Sequence, residues 1–218
     1  LVIERRGEPV GLITTRGFRD VLEIGRQTRP DLYDYRVKRP RPLARRAHRL
    51  EVAERMAADG TVLIPLHEAE VAAAARELAG CGLKSVAILF LHAYRNPAHE
   101  RRARDIVAGI MGEVFITLSS DVLPEFREYE RASTTALNAY VGPRMQAYLD
   151  RFVARVRAEG VGSEPYTIHS NGGLMSIATA AALPVRTCLS GPAAGVVGAA
   201  AIATAAGFAD VVTFDVGG

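Results

Sequence analysis

The chain has 218 residues, 49% hydrophobic and 23% charged, enough apolar side chain to fill one large or two small cores, which excludes disorder as its default state. Its longest strongly apolar run, Val86–Leu91, is too short to cross a bilayer, and the Ala/Gly stretch Ala193–Ala209 is interrupted by Thr204 and followed by Asp210, so no membrane partner is expected. The net charge of +3 is uneven: the segment Arg26–Arg49 holds nine Lys/Arg against two Asp, which makes it +7 and the rest of the chain −4. Pro30, Pro40 and Pro42 make that basic stretch an extended surface connection, so no nucleic-acid partner is expected either. Cys81 and Cys188, without a CxxC or a signal peptide, argue against a disulfide scaffold or zinc ribbon and fit a reducing cytoplasm. Leu1 is not a natural start, and Val211–Gly218 stops within what reads as a strand and its turn, so a piece of a longer protein is expected.

In chain order, Val10–Thr15 reads as a strand, and Phe18, Val21, Leu22 and Ile24 follow Gly17 at helical spacing. Ala47–Glu54 and Thr61–Ile64 flank Asp59-Gly60 as the two arms of a hairpin. His67–Ala79 is an alanine-rich amphipathic helix stopped by Gly80 and Gly82. Ser85–Leu91 is an apolar run of strand length, of the kind buried on both faces. Asn96-Pro97 opens a helix through Met111, Glu113–Leu118 is the next strand, and Arg127–Glu159 is a long helix with Gly142-Pro143 as its break or kink. This alternation predicts a layered α/β domain whose central sheet contains Val10–Thr15, Val86–Leu91 and Val114–Leu118.

Composition then shifts. From Tyr166 to Gly218, 53 residues hold eight glycines, thirteen alanines and only three charges, Arg186, Asp210 and Asp215. Three glycine turns share this segment. The run VVTFDVGG places Asp215 at a strand end ahead of Gly217-Gly218, an arrangement that suits a phosphate with a magnesium ion, and also a plain hairpin. Ser190–Gly195 (SGPAAG) leads from Val185–Leu189 into a helix over Ala193–Ala206, with Pro192 at the first helical position, and its small residues permit close contact with a ligand or another helix. Ser170–Gly173 (SNGG) follows the strand-like Tyr166–His169, where Asn171, Gly172 and Gly173 form either a ligand-binding loop or an ordinary turn. His169, just before it, reads as a satisfied histidine rather than a base. His92, His99 and Glu100 form either a metal or proton-transfer cluster or a set of structural hydrogen bonds, and the second is favoured because seven residues across a proline are not a rigid ligand spacing. The acidic and basic residues of EFREYER (125–131) suit a helix start as well as a substrate site. No Ser-His-Asp order, nucleophile elbow or HExxH is present, which leaves acyl-enzyme and zinc hydrolysis unsupported.

Taken together, GLITTRGFRDVLEIGRQ (11–27), LHAYRNPAHE (91–100), LPEFREYERASTTALNAYVGP (123–143), SNGG (170–173), LSGPAAGV (189–196) and TFDVGG (213–218) resemble the hydantoinase A and 5-oxoprolinase family, a branch of the actin, sugar-kinase and heat-shock ATPase superfamily. The resemblance implies a partial actin-like (ribonuclease H-like) fold, with residues 1–130 in the family's N-terminal domain and 131–218 at the start of its ATPase domain. In that superfamily two Asp-containing glycine turns grip the nucleotide phosphates and magnesium. The second is what TFDVGG resembles, so the resemblance gives Asp215, Gly217 and Gly218 that role, with Asp215 on the metal. Ser190, Gly191 and Gly195 would serve the cofactor from the connecting helix, where small residues allow a close crossing, and Asn171, Gly172 and Gly173 would meet the substrate.

The implied cofactors are ATP and Mg2+, the implied substrate is a small cyclic amide, and the implied partner is a hydantoinase B-type companion subunit or a C-terminal half. The expected activity is ATP-dependent opening of a hydantoin or 5-oxoproline ring, with the 218-residue piece alone inactive because the first Asp turn is not on it. A ketone carboxylase subunit of the same family, or a non-enzymatic nucleotide-gated assembly module as in actin and the chaperones, are the alternatives.

Overall fold

The structure, a computed structural model, describes residues 1–28 and 30–216, and its chain forms two compact units, residues 1–144 and 145–218. In chain order the first holds β1 (Gly11–Thr15), the one-turn α1 (Val21–Ile24), β2 (Arg49–Val52), β3 (Arg55–Met56), β4 (Val62–Ile64), α2 (Glu68–Gly80), β5 (Ser85–Leu89), α3 (Ala98–Met111), β6 (Phe115–Leu118), the one-turn α4 (Ser119–Val122) and the start of the long α5 (Glu128–Ala158).

β2-β1-β5-β6 form a four-stranded, all-parallel sheet. The three strand runs expected at its centre are all in it. Parallel strands need crossovers, and the crossover helices α2 and α3 cover one face while α5, which follows β6, covers the other. Because side chains alternate, Ile13, Val86 and Ile88 join α2 and α3 in one core, with Val71, Ala75, Leu78, Ala103 and Val107. Leu12, Ala87 and Leu89 join Ala132, Ala136, Ala139 and Tyr140 of α5 in the other.

One expected pairing is different. Ala47–Glu54 does not pair with Thr61–Ile64. Its Arg49–Val52 portion pairs in parallel with β1 (Leu12 opposite Arg49, Thr15 opposite Val52), and the hairpin around Asp59-Gly60 is built instead from Arg55–Met56 and Val62–Ile64. The ladder beside β1 buries Val52 completely, whereas Val62, Leu63 and Ile64 stay about half exposed on the hairpin. The burial available beside β1 outweighs the local turn signal.

Pro143 lies inside α5 without ending it. Its missing N–H should leave the Ala139 carbonyl unpaired, and the Ser85 hydroxyl donates to that carbonyl at 2.6 Å from the fully buried start of β5. Ser85→Ala is therefore expected to cost about 1–2 kcal/mol. The cost should shrink in a Pro143→Ala background, where the helix supplies its own donor. Urea unfolding of the four species checks this, and strictly additive effects would contradict it.

In the second unit β7 (Tyr166–Ile168) and β8 (Leu174–Ser176) form an antiparallel hairpin, followed by α6 (Ile177–Ala182) and α7 (Ser190–Ala205). Leu149, Met175 and Ala180 make its small core. α7 begins at Ser190, a turn earlier than expected, and Val185–Leu189 holds a short 3-10 turn over Pro184–Thr187. The strand expected at Val211–Val216 is not formed: a strand needs a ladder partner, none of the described residues pairs with it, and Val212 and Phe214 are more than 90% exposed.

Candidate functional site

The strand order turns between β1 and β5, since the chain leaves β1 toward β2 on one side and later returns to β5 on the other. The carboxyl edge of a parallel sheet at such a point is where ligands bind in open α/β folds. Here that edge is densely polar.

At the end of β1 the buried Thr15 hydroxyl donates to the buried Glu54 carboxylate just past β2, and accepts the Leu91 N–H at 3.0 Å. The other oxygen of Glu54 lies 2.8 Å from Nδ1 of His99 in the first turn of α3. One residue further, Glu100 is fully buried and accepts three hydrogen bonds: from the Phe90 N–H at 2.9 Å, the Ser119 hydroxyl at 2.5 Å and the Ser120 N–H at 2.9 Å. Burial pushes its carboxyl up, and the three donors only partly offset that. Arg131 of α5, also fully buried, donates to the Phe90 carbonyl at 2.6 Å and the Glu125 carbonyl at 3.0 Å, and lies over the Tyr94 ring. The exit of β5 is thus clamped at its N–H by Glu100 and at its carbonyl by Arg131. His92 follows in the left-handed region at φ +57°, with Nδ1 3.4 Å from the Tyr94 hydroxyl.

His92, His99 and Glu100 each have a partner of their own rather than one another: Glu100 ties the β5 exit at Phe90 to Ser119 and Ser120 of α4, His99 meets Glu54 and His92 meets Tyr94. Glu54, Thr15 and Arg49 were not singled out from the sequence. Arg49 is fully buried, donates from Nε to the Ala44 carbonyl at 2.9 Å and has Glu23 3.4 Å away, and burial lowers its pKa. In EVAERM and HRLEV these charges look like an ordinary solvated face.

Beside the same edge, the loop after β1 and the start of α5 enclose a cavity of about 480 Å³ with Arg19, Asp20, Glu51 and Glu128 among its lining. Asp20 is held by a two-pronged pair with Arg46 at 2.9 and 3.0 Å, and the hydrogen bond from that guanidinium keeps its carboxyl below the usual range.

In the second unit the SNGG turn satisfies itself. The Asn171 side chain accepts its own turn's Gly173 N–H at 3.0 Å, and Ser170 donates back to the Arg186 carbonyl at 2.6 Å. Gly172 is at φ +85°, and a Cβ there would come within 2.6 Å of Val197 on α7. Gly191, Gly195 and the exposed Asp215 do line one cavity, with Pro192 and Phe214. Ser190 opens α7 and is not in that lining. The close helix contact expected at Gly195 is not made within the described residues, where an added Cβ meets nothing within 4 Å. Gly217 and Gly218 lie outside the described residues. Asp215 has no hydrogen bond or ion pair among the described residues, and one open carboxylate beside small residues suits Mg2+, which usually takes one or two carboxylates and completes its shell with water and phosphate oxygens.

Among the described residues no helix is long and apolar enough to cross a membrane. The family model described as the hydantoinase/oxoprolinase N-terminal region matches residues 1–111, and the hydantoinase/oxoprolinase model matches 131–218. The chain is 35% identical to the caprolactamase alpha subunit of Pseudomonas jessenii, covering 100% of this chain and 32% of that one. The crystal structure of the ATP-dependent caprolactamase from the same organism superposes with a TM-score of 0.82 at 33% identity, again over 100% of this chain and 32% of that one. An acetone carboxylase, solved nucleotide-free in work on ATP-dependent acetone carboxylation, also superposes with a TM-score of 0.82, at 31% identity over 94% of this chain and 30% of that one. The acetophenone carboxylase gamma subunit of Aromatoleum aromaticum is 34% identical, over 100% of this chain and 31% of that one. The chain therefore spans about a third of the length of these relatives. Sequence models at both ends of the chain and a shared backbone over nearly all of it agree: this α/β chain belongs to the hydantoinase/oxoprolinase family.

Proposed function

We propose that the full-length protein uses ATP to activate a carbonyl oxygen and so open a small cyclic amide, of hydantoin or 5-oxoproline type. The observation that carries this reading is the match, end to end on this chain, to the ATP-dependent caprolactamase. A ring amide is a poor electrophile because attack must break amide resonance. Transfer of the γ-phosphoryl group to the carbonyl oxygen breaks its bond to the ADP leaving group. Water then adds to the carbon and the C–N bond opens, the ring nitrogen leaving with a proton as an amine. The former carbonyl oxygen stays on carbon as an acyl phosphate, and a second water displaces phosphate to leave the carboxylate. The work of the protein is to position the ring and to stabilise charge. Asp215 would hold the Mg2+ that neutralises the phosphates when bound, with Gly191, Gly195, Gly217 and Gly218 leaving room for them and Ser190 at the head of α7. The assignment of residues 1–130 to an N-terminal domain and 131–218 to the ATPase domain belongs to the same proposal, as does a companion subunit, which the subunit names of the relatives support.

The match to acetone carboxylase supports the second reading equally well: the same phosphorylation, applied to a ketone enolate, prepares it for carboxylation. Phosphate release from ATP by the full-length protein with its companion subunit separates the two. Release stimulated by hydantoin, 5-oxoproline or caprolactam without bicarbonate is expected. Release that requires acetone or acetophenone together with bicarbonate, and ignores every lactam, would replace the first reading with the second.

A further inference from the structure

We infer that the Glu54–His99 pair at the carboxyl edge of the sheet is a general-base site, with Nε2 of His99 as the atom that takes the proton. The inference rests on the ring-opening reading and names the group that serves its attacking water. Three distant segments build the site: Thr15 ends β1, Glu54 follows β2 and His99 stands in the first turn of α3. They meet where the strand order turns, the edge at which open α/β folds carry their ligands.

The hydrogen bonds fix the state of the ring. Glu54 is fully buried and each of its oxygens has a partner. One accepts the Thr15 hydroxyl, which in turn accepts the Leu91 N–H at 3.0 Å, and the other lies 2.8 Å from Nδ1 of His99. A carboxylate only accepts, so the hydrogen of a neutral His99 sits on Nδ1 and the lone pair is left on Nε2. The His99 side chain is 12% exposed, and Nε2 has no hydrogen bond among the described residues and is not closed off from water. No other histidine has a buried carboxylate behind its ring among the described residues. Nδ1 of His67 accepts the Glu70 N–H, Nδ1 of His169 accepts the Asn171 N–H, His92 meets a phenol hydroxyl, and Nδ1 of His48 is unpartnered.

The charges on the neighbouring elements are matched among themselves. Glu70 of α2 accepts the Ala53 N–H at 2.7 Å and pairs with Arg16 at 2.6 Å, and Glu68 pairs with Arg102 of α3 at 2.7 Å. Glu100 is taken by its three donors, and Arg95, in the turn before α3, donates to the Ala58 carbonyl. Glu54 is therefore left to His99, and it stands ready to stabilise an imidazolium without rearrangement.

Water that adds to the phosphorylated carbonyl carbon must shed a proton as the new C–O bond forms. Nε2 of His99 accepts it. The imidazolium returns that proton to the ring nitrogen, which keeps the electron pair of the breaking C–N bond. The second proton of the same water passes to solvent as the acyl phosphate carbonyl forms, and His99 is neutral again for the next turnover.

The test is ring opening of caprolactam and 5-oxoproline by the full-length protein with its companion subunit. His99→Asn keeps a donor where Nδ1 faces Glu54 and removes the base, and His99→Ala leaves room for imidazole added to the buffer. Each variant is expected to open the ring about a hundredfold more slowly or worse, with the melting temperature of His99→Asn unchanged. Added imidazole is expected to restore His99→Ala by about tenfold or more, in step with the neutral fraction of the imidazole, and to leave the wild type as it is. Ring opening by His99→Asn within about threefold of the wild type would overturn the base assignment and leave the ring-opening reading standing. A loss that imidazole does not restore and that follows a lowered melting temperature would make the pair structural and overturn it as well. A wild type that opens neither ring would remove the reading, and this role of His99 with it.

Discussion

Asp215→Asn in the full-length protein is expected to lower ATP-coupled turnover about a hundredfold, the usual cost of losing one electrostatic contact to a transferring phosphoryl group. The substitution keeps the size of the side chain and removes only its charge, so it tests the cation and not the packing. Asp215 is exposed in this chain and has no hydrogen bond or ion pair among the described residues, so a purely structural role gives no reason for a change in melting temperature. Steady-state phosphate release at saturating nucleotide, with Mg2+ titrated, is the measurement. The apparent Mg2+ requirement should move to higher concentration together with the fall in rate. Turnover within about threefold of wild type, a difference below roughly 1 kcal/mol, would remove Asp215 from the phosphate–magnesium site.

Glu100→Ala is expected to be the most damaging single truncation in the first unit, at about 3–5 kcal/mol, a large part of the stability of an ordinary domain. Three donors, the N–H groups of Phe90 and Ser120 and the Ser119 hydroxyl, lose their acceptor at once, and Phe90 and Ser119 are fully buried. The same carboxyl should also leave a signature in pH. Its folded pKa is raised from the ordinary value of 4.5, mainly by burial. It therefore contributes stability fully below about pH 4.5, and that contribution is lost as pH rises toward the folded pKa, because there the unfolded chain ionises and the folded chain does not.

Asp20, Asp34, Asp59, Glu68, Glu70 and Glu130 are all held below their ordinary values by hydrogen bonds, and they give the opposite slope. The whole-protein profile is thus uninformative about Glu100, and the difference between wild type and Glu100→Gln isolates it. That difference in unfolding free energy should shrink from pH 4.5 to pH 7. A difference independent of pH would mean that Glu100 is ionised in the folded state throughout.

What the sequence determined by itself is the family and the layered plan. Both follow from local information. The apolar run at Ser85–Leu91 has the length and bounding glycine of a strand buried on both faces, the periodic segments beside it have the pattern that covers a sheet, and short motifs in fixed order mark the family without any contact being known. What only the tertiary structure decided are the partners of charged residues, because their sequence context is that of a solvated surface. Thr15 meets Glu54 across 39 residues and Leu91 across 76, and His99 meets Glu54 across 45. Glu100, Arg49 and Arg131 are fully buried although each sits among other charges in the chain. The same holds where a local signal lost to a distant one: Arg49–Val52 left its hairpin because β1 offered a buried ladder, and Val211–Val216, with every mark of a strand, stays unpaired among the described residues because a strand exists only against a neighbour. Periodicity is written along the chain. Desolvation and pairing depend on which distant segment arrives alongside, and that is a property of the fold.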